Sequence, residues 1–161
     1  MWILRWPVVL VLLVLVAGSL LPAVATTTAH LNLPPIASYS PALSALDELG
    51  AQSSWLEAGL WYAAALFFLI AAIRLIRKTQ GFWLWLLGFA CYGGRWAVTQ
   101  QSEGGLIATM QSLSAESLQP ENLTAESAPI QVGLLTFHLV IGLIILIIDA
   151  ADRAYWDRNG R

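Results

Sequence analysis

Four stretches of the chain run for close to twenty residues with almost no charge, and more polar segments separate them. They cover about 6–25, 56–76, 81–98 and 130–148. Crossing roughly 30 Å of hydrocarbon takes about 20 apolar residues in a helix. Lipid offers no partner to a bare N–H or C=O, so each stretch has to satisfy its own backbone internally. The pattern therefore predicts an all-α, polytopic membrane protein: a four-transmembrane-helix bundle forming one integral membrane domain over 1–161. Outer loops take up 26–55 and 99–129, with a hairpin at 77–80 and a tail at 149–161.

The first stretch admits two readings. Arg5, an apolar run and Ala23-Val24-Ala25 also fit a secretory signal with an A-x-A cleavage site. The run is long for the apolar part of such a signal, which favours a retained anchor. Cleavage would leave three spans in the same orientation.

Charge sets the orientation, because Lys and Arg resist translocation. Arg5, then Arg74, Arg77 and Lys78, then Arg153, Arg158 and Arg161 fall on one side of a four-span arrangement, and Arg95 alone does not. The other side carries Asp47, Glu48, Glu57, Glu103, Glu116, Glu121 and Glu126, with no lysine. Both termini are expected in the cytoplasm, in a plasma or inner membrane. Aromatic residues suit the headgroup level, and Trp2, Trp6, Trp55, Trp61, Tyr62, Tyr155 and Trp156 flank the spans accordingly.

Each outer loop has a helical signature. In Ser40-Pro41 to Gly50, Ser40 suits the cap, Pro41 the first helical position and Gly50 the residue after the end. Leu43, Leu46 and Leu49 share one face, which predicts a short amphipathic helix on the outer surface. Leu106, Ile107, Met110 and Leu113 predict a second, followed by an acidic stretch broken at Pro120 and Pro129. Asn122-Leu123-Thr124 matches a glycosylation acceptor pattern. In the tail, the spacing Asp149, Arg153, Asp157 predicts i,i+4 ion pairs that carry the last helix past the bilayer.

Composition narrows the function classes. Of the 161 residues 58% are hydrophobic and 11% charged, where soluble domains carry about a quarter charged. Eight Lys plus Arg against ten Asp plus Glu leave no basic face for nucleic acid. One cysteine gives neither a disulfide framework nor a Cys-cluster metal site. Signatures of metalloproteases, serine hydrolases, dithiol oxidoreductases and P-loop enzymes are absent, so no catalytic residue, metal or cofactor is assigned.

Ionisable groups within spans become the candidates, since each costs about 2.5 kcal/mol or more at mid-depth. Arg95 sits about three residues inside the outer end of the third span, within snorkelling reach. It lies at the depth of Glu57, and an Arg95–Glu57 ion pair would clasp two antiparallel neighbours. His138 lies about eight residues into the fourth span, roughly 12 Å along its axis, too deep to snorkel. Its ordinary role is an interhelical hydrogen bond, here to Tyr92. The sharper alternatives are an axial cofactor ligand or a proton-relay group.

Leu31-Asn32-Leu33-Pro34-Pro35 resembles the N-L-x-P-F stretch of VanZ-like membrane proteins. The resemblance covers five residues, and the Glu-x-x-Gln and Arg…Asp…Asn…Gly motifs that mark that family are missing, so no function is carried over.

Three function classes follow. The first is a non-catalytic accessory or scaffold subunit, with the lipid bilayer and a membrane protein or second copy of the chain as partners. Its motivation is the small-residue faces Gly88, Ala90, Gly94 and Gly133, Gly142. The second is a cofactor- or proton-handling protein centred on His138. The third is an envelope enzyme or resistance factor acting at the outer surface through Glu57, Arg95 and Glu103.

Overall fold

Polar residues decide where the first helix stops, and it stops later than hydropathy alone predicts. The computed structural model describes residues 2–40, 43–100 and 128–159. Among these all regular structure is helical, with no strand: α1 Trp2–His30, a 3₁₀ turn Ile36–Ser38, α2 Ser44–Gln52, α3 Trp55–Ile76, α4 Phe82–Gln100 and α5 Ala128–Asn159.

α1 continues five residues past Ala25 because its three threonines feed their hydroxyls back into the helix. Thr26 and Thr27 donate to the carbonyls of Pro22 and Ala23, and Thr28 to that of Ala25, at 2.8–2.9 Å. Such back-bonding lets hydroxyls sit in a helix without a partner from outside. α1 then ends in a Schellman turn. Asn32 is left-handed (φ 52°), Leu33 N–H donates to Thr28 O and Asn32 N–H to Ala29 O. Asparagine follows glycine in tolerating that conformation, so the pentapeptide Leu31-Asn32-Leu33-Pro34-Pro35 lies at a helix terminator. The hairpin after α3 repeats the device with Lys78 left-handed (φ 58°), Thr79 N–H on Arg74 O and Lys78 N–H on Leu75 O.

α1, α3 and α5 are each long and apolar enough to cross a membrane, over Leu4–His30, Trp55–Ile76 and Gly133–Asp157. α4 is 19 residues long and carries Arg95, Thr99 and Gln100 toward its end, so the described residues hold three apolar candidate spans with α4 packed beside them.

α1 packs most extensively on α3, α3 on α4, and α5 touches α4 and α1 only lightly. Alanines on α3 make the first contact close: Ala64, Ala65, Ala71 and Ala72 meet Val8, Val9, Leu12 and Val16 in one buried cluster. In lipid, apolar association gains little from water, and close van der Waals packing has to hold the helices.

Two glycines receive rings. A methyl on Gly88 would fall 2.7 Å from the Phe68 ring, and one on Gly142 would overlap the Trp85 indole. These positions, expected to face a partner, therefore serve internal packing. Gly50 departs from its expected place too. It lies inside α2, where a methyl would be 2.5 Å from the Ala25 carbonyl carbon. Close approach of two backbones, rather than helix termination, explains the glycine. Correspondingly, Ser40 does not cap α2; Leu43 occupies the N-cap without a side-chain bond.

Asp47 accepts from the N–H groups of Ile36 and Ala37 at 2.9 and 2.7 Å, tying α2 to the 3₁₀ turn. The expected second surface helix (Leu106 to Leu113), Glu103 and Asn122-Leu123-Thr124 lie outside the described residues.

At the hairpin end a polar clasp joins four helices. Arg5 is buried, donates to Leu75 O at 3.1 Å and pairs with Asp152 of α5. One turn earlier, the Asp149 carboxylate accepts from Gly81 N–H and Phe82 N–H, both at 2.9 Å. Gly81 is the α4 N-cap, since Trp85 N–H donates to its carbonyl, so α5 caps α4 from outside. The tail pairs expected along α5 are thereby displaced: Asp149 turns to α4, and Arg153 Nε reaches the Asp149 carbonyl at 3.4 Å instead of its carboxylate.

Replacing Asp149 by Ala removes two acceptor contacts at a buried helix terminus, and caps of this kind contribute about 0.5–2 kcal/mol. Asp149→Ala is expected to lower the detergent-solubilised melting temperature, and Asp149→Asn, which keeps an acceptor oxygen, to lower it less. Circular dichroism on heating measures both; equal losses would contradict the capping role.

Candidate functional site

The first turn of α3 positions the acidic end of the site. Ser54 is the N-cap, its hydroxyl accepts from Glu57 N–H, and Glu57 Oε2 accepts from Ser54 N–H at 2.7 Å. This reciprocal capping box has an S-x-x-E signature at 54–57 that the sequence displays openly. Its second oxygen, Oε1, lies 3.9 Å from Arg95 Nε of α4, and both side chains are mostly buried. That separation is an ion pair without a direct hydrogen bond. The Arg95 guanidinium carbon also stands 4.8 Å over the Trp61 ring, a cation–π geometry. Trp61, expected as an interfacial anchor, is instead buried beneath Arg95, while Trp55 and Tyr62 remain exposed.

From Trp61 a file of rings leads inward. Tyr92 meets Trp61 edge-on at 5.6 Å and stacks on His138 at 4.7 Å with 24° between planes. Phe89 and Phe68 lie tilted against the same imidazole at 5.6 and 6.1 Å. His138 is 1% exposed. Its Nδ1 is 2.7 Å from Leu134 O, one turn earlier on α5. A carbonyl only accepts, so Nδ1 carries the proton and Nε2 presents its lone pair. Nε2 is buried with no hydrogen-bond partner among the described residues.

The expected hydrogen bond from His138 to Tyr92 is thus replaced by stacking, and the donor is satisfied within α5. Stacked rings place their polar edges side by side rather than end to end, which is why proximity did not become a hydrogen bond.

The structure brings Glu57, Arg95, Tyr92 and His138 into one continuous file; Glu103 is outside the described residues. Cys91 is a half-buried free thiol. His30, at the end of α1, donates from Nε2 to Ser53 O at 2.8 Å and stacks on Trp55 at 5.0 Å, fixing the α2–α3 junction.

Sequence reasoning missed Arg5, Asp152 and Asp149 as partners. Arg5 and Asp152 are 147 residues apart, and no local spacing signals such a pair.

No family model, no curated protein and no solved structure matches the chain.

Because Glu57 serves cap and ion pair with different oxygens, the two roles separate by substitution. Glu57→Gln keeps an acceptor for Ser54 N–H but leaves the mostly buried Arg95 without its counter-charge, and is expected to lower stability for that reason alone. Glu57→Ala loses the capping box as well, a further loss of about 0.5–2 kcal/mol. Exchanging the residues as Glu57→Arg with Arg95→Glu should not restore stability, since arginine accepts nothing from Ser54. Thermal unfolding in detergent checks the series, and full restoration by the exchange would show the ion pair alone to matter.

Proposed function

We propose that the chain is a four-span, non-catalytic membrane protein that serves as an accessory or scaffold subunit of a larger membrane complex, with α4 as the fourth span. At about 1.5 Å per residue, the 19 residues of α4 reach roughly 28 Å, close to the hydrocarbon thickness. The placement of Arg5, Arg74, Arg77, Lys78 and Arg153 at one end supports cytoplasmic termini in a plasma or inner membrane. α1 supplies Val8, Val9, Leu12 and Val16 to the core, which supports its retention as an anchor.

One observation carries the reading: the buried and half-buried charged side chains Arg5, Glu57, Arg95, Asp149 and Asp152 are engaged in holding helices together. Arg5 binds Asp152 and a carbonyl, Asp149 caps α4, Glu57 closes a capping box, and Arg95 lies between Glu57 and Trp61. Groups tied up in this way stabilise a framework.

The same framework leaves small residues uncovered near the far end of α4 and α5. A methyl at Gly93, Gly94 or Gly133 would meet nothing within 4 Å among the described residues, and Ala90 is exposed. Small uncovered positions let a further helix approach closely. Cysteines at Gly94 and Gly133, in a Cys91→Ser background, are expected to cross-link to a membrane protein or a second copy in native membranes, and the chain to leave mild detergent as part of a larger assembly. Recovery as a lone monomer in several detergents, without cross-links, would refute the reading.

A second reading, cofactor or proton handling at His138, is favoured by the buried, unpartnered Nε2. It expects visible absorbance in the purified protein, or a pH-dependent activity lost in His138→Ala. A colourless preparation and a host phenotype unaffected by that substitution would remove it.

A further inference from the structure

The end of the molecule that holds the Arg5 clasp also holds a pocket of about 580 Å³ between the 77–80 turn and the last turns of α5. Arg74, Arg77 and Lys78 line it from one side and Arg153 from the other, and all four are exposed. Three aspartates share the lining, yet two are already engaged. Asp149 holds the α4 N-terminus and Asp152 holds Arg5, leaving Asp157 as the third. Arg74 commits one donor to Gln80 O and Arg153 one to Asp149 O. Each guanidinium has five, so most remain available. Arg77 and Lys78 form no ion pair among the described residues.

The position of the pocket along the helices is equally specific. The apolar run of α3 ends at Ile76 and that of α5 at Ile148, and the pocket occupies the turns that follow. Trp156, an exposed residue of a type that prefers the headgroup level, lines it, and Ile76 beside Arg77 is exposed as well. A net cationic lining at that depth, with arginine forks matched to phosphate oxygens, is chemistry for a phosphate ester.

We propose that this pocket binds the phosphate of an anionic membrane phospholipid, its acyl chains lying along the exposed apolar surface below. Basic pockets beside membrane helices recognise anionic headgroups in this way. Simple topological bias explains why cations lie on this side; it does not explain why two of the three carboxylates among them are turned to other partners. The site is independent of whether a protein partner exists.

Lys78→Gly provides a test that misfolding does not confound. Lys78 is left-handed, a conformation glycine adopts without the penalty other residues carry, so the variant is expected to keep or raise the melting temperature while losing a pocket charge. In native mass spectrometry from detergent, the wild-type chain should retain phosphatidylglycerol in preference to phosphatidylcholine. The preference should weaken at high salt and fall about fivefold per charge removed, in Lys78→Gly and again in Lys78→Gly with Arg77→Gln. Asp157→Asn should leave it equal or stronger. Equal retention of the zwitterionic lipid, or unchanged retention in the double variant, would overturn the proposal. Displacement of the lipid by millimolar glycerol phosphate would assign the pocket to a soluble anion instead and overturn its lipid assignment.

Discussion

A guanidinium placed among apolar helices must find its counter-charge within the protein, and Arg5 finds it on the last helix. Its bond to Asp152 and its donation to the Leu75 carbonyl bring α1, α3 and α5 to a common point. Asp149, three residues before Asp152, brings in α4 through two backbone N–H groups. α5 touches its neighbours lightly along its length, so these polar contacts set its register. Breaking one partner of such a buried pair leaves the other charge uncompensated, which is far more destabilising than the pair is stabilising.

Away from the clasp, shape does the holding. Phe68 rests on Gly88, and Trp85 rests on Gly142 while stacking on Phe89 at 5.4 Å. Each ring fills a notch that any larger residue would close, and in lipid such interlocking is the main apolar attraction between helices. The His138 file extends the same logic: Phe68 and Phe89 that fill the core also enclose the imidazole. Framework and candidate site are therefore one set of side chains, and substitutions in either are felt in both.

Much of the helical plan was legible in the sequence, because runs of uncharged residues near bilayer length have few other interpretations. The proximity of Glu57 and Arg95 was legible for a related reason: a tight hairpin makes α3 and α4 antiparallel, and depth then follows from counting. What escaped depended on three-dimensional context. Thr26 to Thr28 look like loop residues until their hydroxyls are seen bonding one turn back. Gly50 resembles a terminator until α1 is packed against it. Asp149 matches a tail ion pair by spacing, yet two buried N–H groups of another helix compete for its carboxylate more effectively than one exposed guanidinium. His138 and Tyr92 were matched correctly in depth, but whether rings stack or bond end to end depends on side-chain angles that no residue pattern encodes. Ser54 and Glu57 were a readable motif overshadowed by the more conspicuous charge of Arg95.

Arg5 is made well before Asp152, which follows it by 147 positions. During synthesis α1 and α3 can settle against each other as soon as both have emerged, through alanine and valine alone. The arginine meanwhile lacks the counter-charge that α5 brings. The bundle is consequently latched only once α5 has been made, and a chain that stalls before that point keeps an open charge on α1, a mark by which unlatched copies differ chemically from latched ones.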